Sequence, residues 1–207
     1  MAFYIKDSVL LSYTGDDSEI VIPEGVTVIG EESFLACELL KTVSVPESVT
    51  EIGDNAFYGC HSLKAVLNLK GVSKIGDGAF SECVSLESIK IPEGVSGIED
   101  SVFAFCYSLK MVSIPNSVTS IGGFSFYSCH SLKSVMIPEG VTEIGDHSFQ
   151  WCESLQSIVI PDRVTKIGEY AFAGCKSLKT LTIPVTLSVW SDNAFERCPN
   201  LNMIKKS

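Results

Sequence analysis

Apolar residues return along this chain at one fixed interval rather than at the spacing of a single helix or strand. Phe34, Phe57, Phe80, Phe103, Phe126, Phe149, Phe172 and Phe195 recur every 23 residues with no insertion or deletion. Cys37, Cys60, Cys83, Cys106, Cys129, Cys152, Cys175 and Cys198 keep the same interval, as do the leucines from Leu40 through Leu132 to Leu201. Such a period is the signature of a solenoid, in which each repeat buries its apolar edge only by stacking on the next.

One unit shows how a coil is built. Val135 and Ile137 alternate with Met136, the two-residue period of a strand with one buried face, and Pro138-Glu139-Gly140 ends it with turn-forming residues. Val141 and Ile144 point back inward, and Gly145 permits a sharp change of backbone direction. Asp146 fits the N-cap of a single helical turn that carries Phe149 and Cys152 inward. The pattern predicts an α/β repeat solenoid: a right-handed superhelix with a parallel β-sheet on one face and short turns, 3-10 or single-turn helices on the other. Residues 1–21 read as a capping hairpin, and residues 22–207 as eight repeats, the last atypical, in one continuous domain. Lys205-Lys206-Ser207 finishes the last strand with charge, which discourages edge pairing.

The repeated motifs resemble the BspA-type leucine-rich repeats of bacterial surface proteins. The resemblance rests on stretches such as Ile137-Pro138-Glu139-Gly140-Val141-Thr142-Glu143-Ile144-Gly145 and Ala171-Phe172-Ala173-Gly174-Cys175-Lys176-Ser177-Leu178-Lys179, and extends to the capping stretch Val9-Leu10-Leu11-Ser12-Tyr13-Thr14-Gly15. It implies a non-enzymatic solenoid, secreted or at the cell surface and linked to adhesion, and it carries over no catalytic residue. Three departures mark irregular coils. Asn68 and Leu69 stand where an inward apolar residue and Pro are expected, Glu99 replaces Gly, and Trp190-Ser191 replaces the Ile-Gly corner. At Asn68 the coil either shifts register or buries an amide that needs a partner. Local bends are expected at the other two.

Charge narrows the partners. Against 15 Lys and Arg stand 25 Asp and Glu, a formal charge of −10 that repels phosphate backbones, so nucleic acid is not expected as a partner. No apolar run approaches the ~18 residues of a membrane span, and no export signal is read at the start. By default this predicts a soluble cytoplasmic chain without membrane insertion, whereas the resemblance implies secretion or surface display.

The recurring chemistry reads as structural. Metal sites need ligands that converge, and no Cys-x-x-Cys pair exists, so the cysteines read as a reduced, packed column and no metal or other cofactor is expected. Almost none of the thiols should react in the folded state. His61, His130 and His147 read as solvated, and the serines before the repeat Leu, such as Ser108, Ser131 and Ser154, as hydroxyls bonded to nearby backbone. The lysine column through Lys110 and Lys133 reads as a solvated flank.

Two surfaces stand out as candidates for a protein or glycan partner. One is the open sheet face, where Lys90, Met111, Ser113, Ser134, Met136 and Val159 form a nearly uncharged strip. The other is the helical side of the central coils, where Phe105, Tyr107, Tyr127, His130, Gln150 and Trp151 occupy positions the repeat leaves variable, with Phe124 and Tyr170 not far away. The alternative function is a structural module: a monomer or a weak end-to-end assembly through the lightly capped last coil.

Overall fold

Strands form where the alternation places them. In Ser88–Lys90, Met111–Ser113 and Ser157–Val159 the central residue is buried and its neighbours are exposed. A computed structural model describes residues 2–187 and 189–206, with side chains up to residue 202; it stacks these segments into a β-solenoid of about eight turns with almost no helix. The expected charged finish at Lys205-Lys206-Ser207 lies outside the described residues, apart from the backbone of the two lysines.

Two parallel ladders run along the solenoid. The main one joins Glu19–Val21, Thr42–Ser44 and Ala65–Leu67, then Ser88–Lys90 with Met111–Ser113, then Ser157–Val159, Thr180–Ile183 and Met203–Lys206. The minor one joins Val9–Thr14, Val28–Ile29, Glu51–Ile52 and Lys74–Ile75, and resumes at Ser120–Ile121, Glu143–Ile144 and Lys166–Ile167. At the amino end Ala2–Lys6 folds antiparallel onto Val9–Thr14. Glu19–Val21 already runs parallel to Thr42–Ser44, so those three residues sit in the main ladder rather than in the hairpin.

The helical turn expected after Asp146 does not form. Among the described residues the one helical segment is a 3-10 turn at Leu69–Gly71. The stretch is instead a run of β-turns, Ser148 N–H to Gly145, Gln150 to His147 and Cys152 to Phe149, with left-handed backbone at His147 (φ 57) and Trp151 (φ 61). Positive φ at the third position of a turn is type II geometry. It frees the intervening N–H groups to point along the solenoid: His147, Phe149 and Trp151 donate to the carbonyls of Glu169, Ala171 and Ala173 in the next coil. A helix would spend those donors within its own turn. Asp146 likewise caps nothing in its own coil. Its Oδ1 accepts the N–H of Glu169 at 2.9 Å, as Asp54 does for Asp77 and Asp77 for Asp100 at 3.0 Å.

Inside lies the aromatic spine. From Phe34 to Phe195 successive rings stack with centroids 4.8–5.7 Å apart and planes within 18°. Tyr13 of the hairpin extends the column, 5.3 Å from Phe34. The cysteines line it as free thiols. Each from Cys60 to Cys198 donates its S–H to the carbonyl of the Phe one coil earlier, as Cys129 does to Phe103 at 3.2 Å and Cys60 to Phe34 at 3.1 Å. The end members Cys37 and Cys198 are half-buried, whereas the six between them are buried.

Departures from the repeat map onto breaks in the ladders. Gly145 does not supply a left-handed corner. It is required because a Cβ there would lie 2.6 Å from the carbonyl carbon of Gly122 in the adjacent coil. Where that glycine is replaced, by Glu99 and by Ser191, the minor ladder shrinks to the single bridges Ile98–Ile121 and Ile167–Trp190. Asn68 takes the register-shift alternative. It adopts φ 64, turns outward and donates Nδ2 to Ser44 Oγ at 3.1 Å, while Leu69 enters the core. The main ladder is broken between this coil and Ser88–Lys90. It breaks again at Ser134–Met136, expected as a strand: Met136 stays outside and Ile137 inside, but the segment pairs with neither neighbour, and no side-chain contact accounts for it.

Candidate binding surfaces

On the main sheet, side chains that alternate away from the core have no cover. Val21, Leu67, Met136 and Val159 occupy one repeat position and are 46–83% exposed, with Met111 at 63% in the neighbouring column. Lys90 and Ser113 share a ladder rung, Val159 lies on the next ladder, and Ser134 and Met136 lie on the unpaired coil between. The six sheet-face residues therefore do lie along one face, although two interruptions divide it. A hollow accompanies each break. One of about 490 Å³ is lined by Val66, Leu69 and Pro92, with Lys70, Lys90 and Glu93 also on its wall. Another of about 350 Å³ is lined by Val135, Met136, Ile137, Val159 and Pro161. Sequence reasoning missed that Val66, Leu69 and Pro92 line a hollow; the signal was the anomaly at Asn68 and Leu69.

The turn side carries a contiguous belt of rings. His130 stacks on Tyr107 at 4.9 Å, Tyr107 meets Phe105 edge-on at 6.2 Å, and Phe105 meets Tyr127 edge-on at 5.2 Å. Tyr127 touches Phe124 at 5.6 Å, Phe124 stacks on His147 at 4.4 Å, and His147 stacks on Tyr170 at 5.1 Å. Four of the predicted patch residues, Phe105, Tyr107, Tyr127 and His130, thus join Phe124 and Tyr170, while Gln150 is tied in through Oε1, 2.6 Å from His147 Nδ1. His147 is the member that sequence reasoning left as merely solvated. Its spacing of 23 from both Phe124 and Tyr170 was the available signal.

Trp151 joins no ring pair of the belt among the described residues, but it lines one hollow with Gln150 and Tyr170. Its ring covers Gly174, where a Cβ would come within 2.4 Å, and it carries Lys176 Nζ at 5.9 Å and Arg197 Cζ at 5.8 Å from its centre. Lys176 is also bonded to Glu153 at 2.8 Å.

Backbone geometry sets the belt apart from the core. Phe105, Phe124, His147 and Tyr170 all hold φ between 53° and 61°. Equivalent positions hold the same left-handed backbone in other coils, with Gly59, Gly78, Gly174 and Asn55 but also Glu32, Ala36, Glu82, Ser101, Ser128 and Arg197. Left-handed backbone costs a residue with a Cβ about 1–2 kcal/mol. The repeat bears this cost at its turns whatever the side chain, so the turns do not require these rings, and the core spine does not include them.

The other recurring polar residues make local contacts. The N–H groups of Ser108, Ser131 and Ser154, not their hydroxyls, make the bonds described for that column, to Val84, Tyr107 and His130. Lys110 pairs with Glu87 one coil earlier at 2.8 Å. His61 faces Glu82 at 3.7 Å. No helix of the described residues is long and apolar enough to cross a membrane.

The comparisons agree with this architecture. The leucine-rich repeat protein TpLRR of T. pallidum is 27% identical and covers 97% of this chain, which spans 87% of it, with a TM-score of 0.66. A leucine-rich repeat protein from Eubacterium ventriosum (24% identity, TM-score 0.63) and the pneumococcal vaccine antigen PcpA (20%, 0.61) cover 96% and 92% of this chain and share the fold. The chain spans 65% and 62% of their lengths. Among curated proteins none matches. The family model described as BspA type leucine rich repeat region matches in six copies over residues 8–133 and 98–207. With coil, spine and repeat in agreement, the chain belongs to the BspA-type leucine-rich repeat family.

Proposed function

We propose that this chain is a non-catalytic scaffold that binds a macromolecular partner, in a recognition or adhesion role, through the open face of its main sheet. A protein suits that face better than a glycan. The observation that carries the reading is the column of Val21, Leu67, Met136 and Val159, large apolar side chains left in water along one line of the solenoid. Keeping such a strip exposed forgoes the gain of burying it, and interfaces are where proteins recover that gain. Lys90 is the one charge in this column among the described side chains, so desolvating the strip is cheap. The ionisable groups on the wall of the larger hollow are Lys70, Lys90 and Glu93, all exposed, with Lys70 paired to Glu47.

The test is immobilised protein probed with purified extracellular-matrix proteins and with a glycan array, alongside Met136→Lys and Val159→Asp variants that fold normally by circular dichroism. Saturable binding to a protein ligand, lost in both variants, is the expected result. Binding unchanged by either variant would place recognition elsewhere and sink this reading.

A further inference from the structure

We propose that the aromatic belt is a second docking surface, for an arginine-rich segment of a partner protein. It is separate from the sheet face and does not depend on that reading.

Three observations lead there. The first is placement: Phe105, Phe124, His147 and Tyr170 stand at turn positions whose left-handed backbone the repeat keeps whatever the residue, Gly59, Glu82, Ser101 and Ser128 included, so the fold does not call for a ring there, while the core is already filled by the separate Phe spine. Rings at positions where the repeat equally accepts Gly, Ser or Glu point to a role outside the fold. The second is exposure. Tyr107 and Phe124 are 42% and 41% exposed, and Phe105 stands at 82° and 74° to Tyr107 and Tyr127, so coil-to-coil stacking does not consume every ring face.

The third is charge, and it selects the occupant. Asp146 and Glu169, directly before His147 and Tyr170, are acidic and exposed, and exposed Asp100 accepts the N–H of Gly123, the residue before Phe124. In a chain of formal charge −10, rings fringed by carboxylates attract cations and repel acidic or phosphorylated segments. The molecule displays the same chemistry with its own side chains: Lys176 and Arg197 lie over Trp151, with Lys176 held by Glu153. Guanidinium is the better fit, because it stacks flat on an aromatic face while its edge N–H groups reach a carboxylate.

The repeat supplies variants that remove rings without disturbing the fold. Phe105→Gly installs the residue of Gly59 and Gly174, and Phe124→Asn that of Asn55 and Asn193. Fluorescence anisotropy with labelled oligoarginine and oligolysine peptides of equal length, at near-physiological salt, tests the proposal. The native chain is expected to bind oligoarginine more tightly than oligolysine, and the Phe105→Gly/Phe124→Asn double variant to bind it at least about tenfold more weakly. Its melting temperature should be equal or higher. Met136→Lys should leave peptide binding unchanged. Equal affinity for the two peptides, or affinity that survives loss of both rings, would mean that net charge alone attracts them and would overturn the proposal. So would absence of binding, or a belt that takes an apolar helical peptide in preference.

Discussion

Cys129 Sγ donates to the carbonyl oxygen of Phe103 at 3.2 Å, so one coil's thiol closes the turn of the coil before it. Burial pushes the thiols of Cys83, Cys106, Cys129 and Cys152 well above the ordinary range. At pH above the ordinary thiol value the fold therefore keeps them protonated while the unfolded chain ionises. The stability they contribute is fully present below the unfolded thiol value near ~8.5, and each such thiol forfeits about 1.4 kcal/mol per pH unit above it. Chemical melts at rising pH should show a steep loss of stability from about pH 9 upward; a flat profile to pH ~10 would refute a buried, protonated column.

The two ends of that column behave differently. Contact with Cys60 and Cys175 lowers the half-exposed thiols of Cys37 and Cys198. A thiol reagent should modify these two in the folded protein and all eight after denaturation. Peptide mapping of the labelled sites checks it. Rapid labelling of a central cysteine such as Cys106 would show that the coils open.

Phe126 lies in the middle of the spine, 5.4 Å from Phe103 and 5.0 Å from Phe149. Phe126→Ala should cost about 3–5 kcal/mol, the transfer term plus a cavity that neighbouring rings cannot fill. Calorimetry should show a large drop in melting temperature; a loss no greater than that of an exposed Met136→Ala control would mean the ring is not part of the core.

How much of this was legible in the sequence follows from which interactions the repeat encodes locally. The spine, the strand positions and the sites of irregularity could be read, because Phe at a spacing of 23, the alternation around Ile89 and the anomalies at Asn68, Glu99 and Ser191 are statements about side chains. The turn side was misread as helical because Asp146 and Phe149 carry the same local cues in either conformation. What decides between them is a bond to another coil, Asp146 Oδ1 to the N–H of Glu169, which no single unit reveals. Gly145 was misread for the same reason: its constraint is the backbone of Gly122. Among the candidate surfaces, the residue types were visible, but the continuity of the belt through His147 needed coordinates.

That constraint makes a prediction. A Cβ at position 145 would meet the backbone of Gly122 and Gly123 at 2.6 Å, and backbone cannot yield as a side chain does. At Gly140 the nearest atom would be 3.3 Å away. Gly145→Ala should therefore destabilise by about 1–3 kcal/mol or more, as overpacking does, and Gly140→Ala by distinctly less. Equal melting temperatures for the two variants would remove close coil approach as the reason for the glycine column.

Ser148 presents the opposite case, a residue that the fold tolerates rather than needs. Its side chain is fully buried and its Oγ has no hydrogen-bond partner, as is true of Ser125 one coil earlier and of Ser33. Ala56, Ala79 and Ala171 fill the same repeat position. A buried hydroxyl without a partner costs about 1–3 kcal/mol of desolvation, and removing it leaves a gap of one oxygen that alanine coils already accommodate. Ser148→Ala should accordingly be neutral or stabilising by up to about 1 kcal/mol, and Ser125→Ala with it should raise the melting temperature further. The neighbouring backbone bonds, Phe126 N–H to the Ser148 carbonyl among them, are untouched by the change. A loss of stability in the single variant would show that the hydroxyl has found an acceptor along the column, and that the serines, like the thiols beside them, tie one coil to the next.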